Sequence, residues 1–262
     1  MDNTGLYLRN MRAAAPLIHN ITNFVAMNIM ANVLLAAGAS PAMVHAREEA
    51  AEFAALAQAL TVNIGTVDPA WAAAMLDCAG VMADLGRPWI FDPVGVGATR
   101  FRQDLSVKLL DLRPTVIRGN ASEILALAGL GGAGRGVDAS DSVAAAETAA
   151  PALSLRTGSV VAVSGPVDFV TDGRRALRVA NGHALMPRVT ALGCSLNGVI
   201  AAFCTGHPAL EATAAALAFY GLAGEVAGQG AQGPGSFQVA FLDALHSLTP
   251  DAVRAGAKVT VA

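Results

Sequence analysis

The sequence predicts an α/β fold, a mostly parallel sheet covered on both faces by helices and finished by an antiparallel hairpin at one edge. Three observations predict it. Short apolar runs that end in Gly, Pro or a polar residue alternate with alanine-rich segments of helix length. A turn signal, Asp172-Gly173, then separates two alternating runs, the mark of a hairpin. The last third reads as helices with one short strand-like tail.

In order along the chain, the first unit is a helix, "FVAMNIMANVLLAAG" (24–38), followed by a strand, "PAMVHA" (41–46). Four buried strands come next: "LTVNIG" (60–65), "PWIFDPV" (88–94), "TVIRGN" (115–120) and "VVAVSG" (160–165). Continuous apolar runs of this length suit strands packed on both faces, as in a parallel sheet. Between them lie "PAWAAAMLDCAGVMADLG" (69–86) and "SDSVAAAETAAPALSLRTG" (140–158), both of helix length. The hairpin is "DFVTDGRRALRV" (168–179). Helices are expected in "SLNGVIAAFCTG" (195–206), "PALEATAAALAFYGLAGEVAGQ" (208–229) and "GSFQVAFLDALHSL" (235–248), before the tail "AKVTVA". No low-complexity linker or internal repeat divides the 262 residues, so one domain spanning 1–262 is expected.

Composition narrows the function. The chain is 54% hydrophobic, with a mean hydropathy of +0.49. Even so, its most apolar stretches carry Asn28 and Asn32, or His207, Pro208 and Glu211, where a membrane span needs about 20 nearly uninterrupted apolar residues. A net charge of −3 without a basic run argues against a nucleic-acid partner. Asp2, Arg9 and Arg12 interrupt the amino-terminal segment where a secretory signal would be apolar, so cytoplasmic residence is expected. Cys78, Cys194 and Cys204 form neither a CxxC pair nor a zinc spacing, and an odd count argues against a disulfide framework.

Ligands of parallel sheets collect beyond the carboxyl ends of the strands. Gly65 and Thr66, Asp92 to Gly97, Arg118 to Asn120, and Ser164 with Gly165 end four runs and are expected to share one rim. In "FDPVGVGATRF", Asp92 could hold Mg²⁺, directly or through water, or could cap the next segment while the glycines turn the chain. In "VIRGNASEILALAG", Asn120 or Ser122 can cap a helix whose first turn contains Glu123, while Arg118 interrupts an apolar strand ending and needs an anion. That anion could be a protein carboxylate or a phosphate. In "RVTALGCSLNGVIAAF", a helix starting near Cys194 would turn its free N–H groups to the rim, form an anion site and lower the thiol pKa. The bland reading makes Cys194 a small buried hydrophobe, as Cys204 is expected to be. There is no GxxxxGK[ST] loop, so a nucleotide site has to be built otherwise; "GAQGPGSFQVAFLDAL" could wrap an adenosine or simply join two helices.

From about Pro16 to Leu245, the segments "PLIHNITNFVAMNIMANVLLAAGASPAM", "NIGTV", "FDPVGVGATRFR", "VIRGNASEI", "GVD", "VAVSGPVDFVTDG", "NGH", "GCSLNGVIAAF" and "GPGSFQVAFLDAL" occur in the order found in the hydroxyethylthiazole kinase family of thiamine salvage, which the sequence resembles. The resemblance implies a ribokinase-like three-layer α/β/α fold and a homotrimer with active sites at subunit interfaces. It also implies Mg²⁺-assisted transfer of the γ-phosphoryl group of ATP to the hydroxyl of 4-methyl-5-(2-hydroxyethyl)thiazole. Carried over residue by residue, it puts Cys194 against the substrate hydroxyl, at a place where the wider ribokinase group has an aspartate base. Arg118, Ser164 and Gly193 fall at ATP, with Ser164 in place of a threonine. Asn23, Met43, Gly65 and Ala191 fall at the thiazole, and Asp92 and Glu123 at Mg²⁺.

The turn before the cysteine departs from the family, which has Gly, a small residue or Thr, then Gly, where this chain has Ala191-Leu192-Gly193. Ala191 is expected to distort the anion site, because a Cβ is costly at positive φ. Leu192 is expected to narrow the pocket or shift its preference. Three other readings stay open: a thiazole-binding protein whose altered turn has ended catalysis, a kinase for a different small heterocyclic alcohol, and an ATP-dependent hydrate dehydratase of the same fold, which normally has aspartate in place of Cys194.

Overall fold

The structure, a computed structural model, describes residues 3–129 and 142–262. The "GVD" segment, Gly136 to Asp138, and the first two residues of the helix expected at 140–158 lie outside them. The chain begins with α1 (Thr4–Ala14), β1 (Leu17–Ile21), α2 (Met27–Ala37), β2 (Ser40–Ala42), α3 (Arg47–Leu56), β3 (Ala59–Asn63) and α4 (Pro69–Asp84). It continues through β4 (Trp89–Asp92), α5 (Arg100–Asp111), β5 (Val116–Asn120), α6 (Ala121–Gly129), α7 (Ser142–Thr157) and β6 (Val160–Ser164). The hairpin strands β7 (Asp168–Thr171) and β8 (Ala176–Val179) follow, then α8 (Leu192–Cys204), α9 (Ala209–Gly228), α10 (Pro234–Ser247), α11 (Pro250–Gly256) and β9 (Val259–Val261).

The nine strands of the described residues join one sheet in the order β2-β1-β3-β4-β5-β6-β7-β8-β9. The pairs from β2 to β6 are parallel and those from β6 to β9 antiparallel, as the alternating units and the Asp172-Gly173 turn predict. Alternate residues of one strand feed opposite cores. Val160 and Ala162 of β6 pack with the helices α1, α2, α8, α9 and α10, while Val161 and Val163 pack with α3 to α7. Three layers result, helices on either side of a sheet buried on both faces.

Local chemistry sets the helix ends. Asp68 accepts from the Trp71 N–H ahead of Pro69, and Thr99 and Thr249 do the same for α5 and α11, each cap contributing about 1 kcal/mol. Arg12 donates to the carbonyls of Ala37, Leu245, His246 and Leu248, satisfying orphan acceptors at the ends of α2 and α10 at once. The strand expected at 41–46 is shorter, Ser40–Ala42, because past Ala42 the chain leaves the sheet; the next carbonyls turn to side chains, that of Val44 to the His19 ring.

The strand order reverses beside β1: the first crossover leads outward to β2, the second back across to β3. The loops after β1 and β3 therefore diverge and leave a crevice at their carboxyl ends. The α8 start lies against that crevice, since α8 packs on β1, β3 and β4.

Candidate active site

Cys194, half-buried, is the third residue of α8. The first bond of the helix runs from the Ser195 N–H to the Ala191 carbonyl, 2.9 Å, so the N–H groups of Leu192, Gly193 and Cys194 have no partner within the helix. The helix begins two residues before the expected start, and the Cys194 N–H remains one of the free donors. Behind it, Tyr220 Oη donates to the Leu192 carbonyl at 2.8 Å and shares a hydrogen bond with Ser195 Oγ, which fixes this first turn from the core side.

Ala191 adopts φ 61° and ψ 7°, the left-handed conformation a glycine would take, so the expected cost of its Cβ is present as backbone strain at the helix start. Leu192 does not narrow the pocket, because its side chain is 3% exposed and belongs to the core beneath α8 and α9.

Arg118, the middle residue of β5, donates from Nη1 to the Gly193 carbonyl at 3.0 Å. A Cβ on Gly193 would meet that same Nη1 at 3.1 Å, so the missing side chain lets the guanidinium reach the helix start. Its Nε is buried without a partner among the described residues. A cation held with an unspent donor beside three free N–H groups suits an anion with several oxygens. Ser164, paired in register with Asn120 at the neighbouring strand end, donates its hydroxyl to the Gly119 carbonyl at 3.1 Å and keeps its lone pairs.

Asp92 ends β4 and is 3% exposed. Its Oδ2 accepts from Asn63 Nδ2 and, at 2.8 Å, from Asn197 Nδ2. Burial pushes this carboxyl up to about 7, the Glu123 charge adds to the rise, and Arg118 with the Asn63 and Cys194 contacts opposes it. Glu123 does two jobs in the structure. It completes a reciprocal cap with Asn120, whose Oδ1 accepts from the Glu123 N–H while Glu123 Oε2 accepts from the Asn120 N–H, and its Oε1 accepts from Gly95 N, tying the glycine turn to β5. Among the described residues no group of three or more His, Cys, Asp or Glu gathers to hold a metal; the acidic pair Asp92 and Glu123 is what the rim offers. The donor set fits Mg²⁺, which takes few carboxylates and keeps its waters: Asp92 and Glu123 are close enough for the Glu123 charge to raise the pKa of Asp92, and the Oδ1 of Asn197, whose amide bonds Asp92, is a hard oxygen with no donor among the described residues.

The Cys194 thiol is pushed up to about 11, chiefly by burial and then by the Asp92 charge, against the pull of the Asn23 and Asn63 amides and of Arg118. The direction is opposite to the lowering expected from the helix start, burial and the Asp92 charge being the causes. Cys204 is a buried core residue, as expected.

Asn23, after β1, donates to Asn63 Oδ1 at 2.9 Å and to Cys194 Sγ at 3.4 Å. Gly65 packs against both amides, where a Cβ would meet Asn63 Oδ1 at 3.0 Å and Asn23 Cβ at 3.1 Å. Met43 follows β2 on the same rim, half-buried against the core beneath α2. The structure thus brings Asn23, Gly65, Asp92, Arg118, Glu123, Gly193 and Cys194 together. Ser164 stands one strand further along, and Met43 at the outer edge.

Four residues went unread in the sequence. Asn63 and Asn197 lie inside apolar runs, where a buried amide needs a partner, and that need is the signal that could have found them. Arg102 joins two rim loops through the Val94 and Gly65 carbonyls, the latter at 2.6 Å. Asp168 accepts from the Gly165 N–H at 3.0 Å beyond Ser164, with its carboxyl raised to about 6 by burial.

Comparison with known proteins gives the same direction. A profile described as "Hydroxyethylthiazole kinase family" matches residues 8–251. The chain is 65% identical over 262 residues to the hydroxyethylthiazole kinase of Cereibacter sphaeroides strain ATCC 17025, covering 100% of both chains. It is 55% identical over 257 residues to that of Rhizobium etli strain CIAT 652, covering 97% of this chain and 100% of the relative. Among solved structures, hydroxyethylthiazole kinase from Pyrococcus horikoshii OT3 superposes with a TM-score of 0.92 at 40% identity over 100% of both chains. A pyridoxal kinase from Staphylococcus aureus matches with a TM-score of 0.65 at 16% identity, covering 94% of this chain and 97% of that one, a likeness of fold alone.

Proposed function

Because the chain belongs to the hydroxyethylthiazole kinase family and works as a phosphotransferase of thiamine metabolism, we propose that the rim at the α8 start transfers the γ-phosphoryl group of ATP to the hydroxyl of 4-methyl-5-(2-hydroxyethyl)thiazole. The observation that carries this assignment is the convergence of three free helix N–H groups, the Arg118 guanidinium and Cys194 on one crevice. In this reading the alcohol oxygen attacks the γ-phosphorus in line, the bridging P–O bond breaks, and ADP leaves. Little covalent work falls to the protein, so positioning and charge neutralisation dominate.

Arg118 and the N–H groups of Leu192, Gly193 and Cys194 receive the phosphoryl oxygens, and Ser164 adds a hydroxyl on the ATP side. Asp92 and Glu123 hold Mg²⁺, which neutralises phosphate charge when bound. Cys194 faces the alcohol. With its thiol raised to about 11 it is chiefly protonated near neutral pH, so it orients the hydroxyl and only its small thiolate fraction serves as base. Met43, Gly65 and Ala191 line the thiazole side, with Asn23 beside them.

We further infer that the chain works as one domain and assembles as a homotrimer whose copies close over this rim. Phe24 and Val25, next to Asn23, are 64% and 59% exposed, and Leu35 on α2 is 61% exposed, an apolar edge that a second copy would cover. No described helix is long and apolar enough to cross a membrane.

The test is ADP release by the purified protein with ATP and Mg²⁺, with and without the thiazole alcohol. Release that depends on the alcohol supports the kinase. Tight alcohol binding without turnover, or ADP release that does not depend on the alcohol, overturns it.

A further inference from the structure

Between Cys194 and Asp92 lies a chain of two amides, Asn23 and Asn63, whose hydrogen bonds to one another and to those two residues the roles assigned above do not use. Asn23 has two N–H donors, and both are spent: one on Asn63 Oδ1 at 2.9 Å, one on Cys194 Sγ at 3.4 Å. Its Oδ1 accepts from the Ala26 N–H at 3.0 Å. Asn63 Oδ1 accepts from Asn23 and from the Gly65 N–H at 2.9 Å, which leaves Asn63 Nδ2 to donate to Asp92 Oδ2.

The polarity of this chain is not free to reverse. Backbone N–H groups anchor it at two points, Ala26 on Asn23 and Gly65 on Asn63, and a backbone N–H can only donate. Turning either amide over would set donor against donor there and leave buried groups unpaired, since Asn23 is 6% and Asn63 2% exposed. The Cys194 sulfur is therefore held as an acceptor towards Asn23, and its proton is left to point away from that amide. On the far side, Asn197 on the next turn of α8 donates to the same Asp92 oxygen, so the helix bearing Cys194 grips Asp92 directly as well.

We propose that Asn23 and Asn63 are positioning residues, a directional amide relay that locks the Cys194 thiol and the Asp92 carboxylate into one geometry, and that Asn23 serves the thiol rather than the thiazole. This rests on the reading that Cys194 faces the substrate hydroxyl, and it replaces a substrate contact for Asn23 with an internal one. A side chain whose donors are both committed has none left for a ligand.

The test uses the full-length protein and reads the thiol directly, without substrate. Cys78 and Cys204 are buried, so iodoacetamide labelling followed by mass spectrometry reports Cys194. Asn23→Asp keeps the size of the side chain and the acceptor for Ala26 but turns an oxygen towards the sulfur and towards Asn63. Alkylation of Cys194 is expected to slow by at least about fivefold, because losing a donor and gaining a negative charge both disfavour the thiolate. In turnover, kcat is expected to fall by about 10²-fold, the scale of misplacing a catalytic group by about 1 Å, with KM for the alcohol changed less than about threefold. A tenfold rise in KM with unchanged alkylation would make Asn23 a thiazole ligand and overturn the proposal. Should Asn23→Asp melt below the assay temperature, Asn63→Ala has to give the same slowed alkylation, or the relay is wrong. Cys194→Ser separates the two readings: if it leaves kcat unchanged, the functional reading of Cys194 fails, while the alkylation rates still decide the relay.

Discussion

Ala191→Gly should stabilise this protein. Ala191 sits at φ 61°, ψ 7°, as the residue that opens α8, and its Cβ has no means of relieving the clash with its own backbone. An L-residue held there costs about 1–2 kcal/mol relative to a right-handed conformation, a cost glycine escapes. Glycine in turn makes the unfolded chain more flexible, which costs about 0.4–1 kcal/mol. The difference is a net gain of about 0.5–1 kcal/mol, or roughly 1–2 °C in Tm for a domain of this size. Urea denaturation with an unchanged m-value is the assay. The three free N–H groups are backbone and stay in place, so kcat should hold within about twofold, an estimate from transition-state contacts that the substitution leaves intact. Ala191→Val, β-branched at the same φ, should lose more than Ala191→Gly gains. A destabilised Ala191→Gly, or a neutral Ala191→Val, would refute the left-handed turn and with it the geometry of the anion site.

Three further outcomes are expected. Arg118→Lys keeps the charge but loses the fork that spans the Gly193 carbonyl and an incoming oxygen, and should lower kcat/KM for ATP by about 10- to 100-fold in steady-state kinetics. Cys194→Ala should be impaired without being dead, within the roughly 10²- to 10⁴-fold span of a general base, whereas Cys194→Asp should retain turnover; equal loss in both would remove Cys194 from the proton transfer. Asp168 has a folded pKa raised from 3.8 to about 6, so the native state binds the extra proton between those values and stability falls as pH rises through that window. Asp168→Asn, which keeps an acceptor for the Gly165 N–H, should gain up to about 3 kcal/mol over the parent at pH 8 and match it closely near pH 4, measured by denaturant titration at both.

Much of the sheet was legible because its strands are short apolar runs cut off by Gly, Pro or Asn. Strands β3 to β6 and the β7–β8 hairpin fall where "LTVNIG", "PWIFDPV", "TVIRGN", "VVAVSG" and "DFVTDGRRALRV" place them. Strand β1 was missed, since His19 and Asn20 break the run "LIHNI". Both are fully buried and bonded, His19 to the Val44 carbonyl and Asn20 to those of Ile18 and Ala42, partners that only the folded chain supplies. Helices α1, α3 and α11 were missed because their apolar faces are narrow and their exposed faces charged. At the rim, strand ends identified Asp92, Arg118 and Ser164. Asn23 was identified as a site residue but not its bonds to Asn63 and Cys194, because an asparagine in sequence says nothing of which way its carboxamide points. The thiol was misjudged because a helix start is readable from sequence while the depth of the crevice around it is not.

The residues that meet in the crevice come from remote stretches of the polypeptide. Asn23 and Cys194 are 171 positions apart, and Asp92 and Asn197 are separated by 105. No local nucleus can preassemble such a constellation, so competence has to arrive late in folding, after the loop-closure entropy of most of the chain has been met. A nascent chain still held by the ribosome short of α8 would own the complete parallel half of its scaffold and yet be chemically inert.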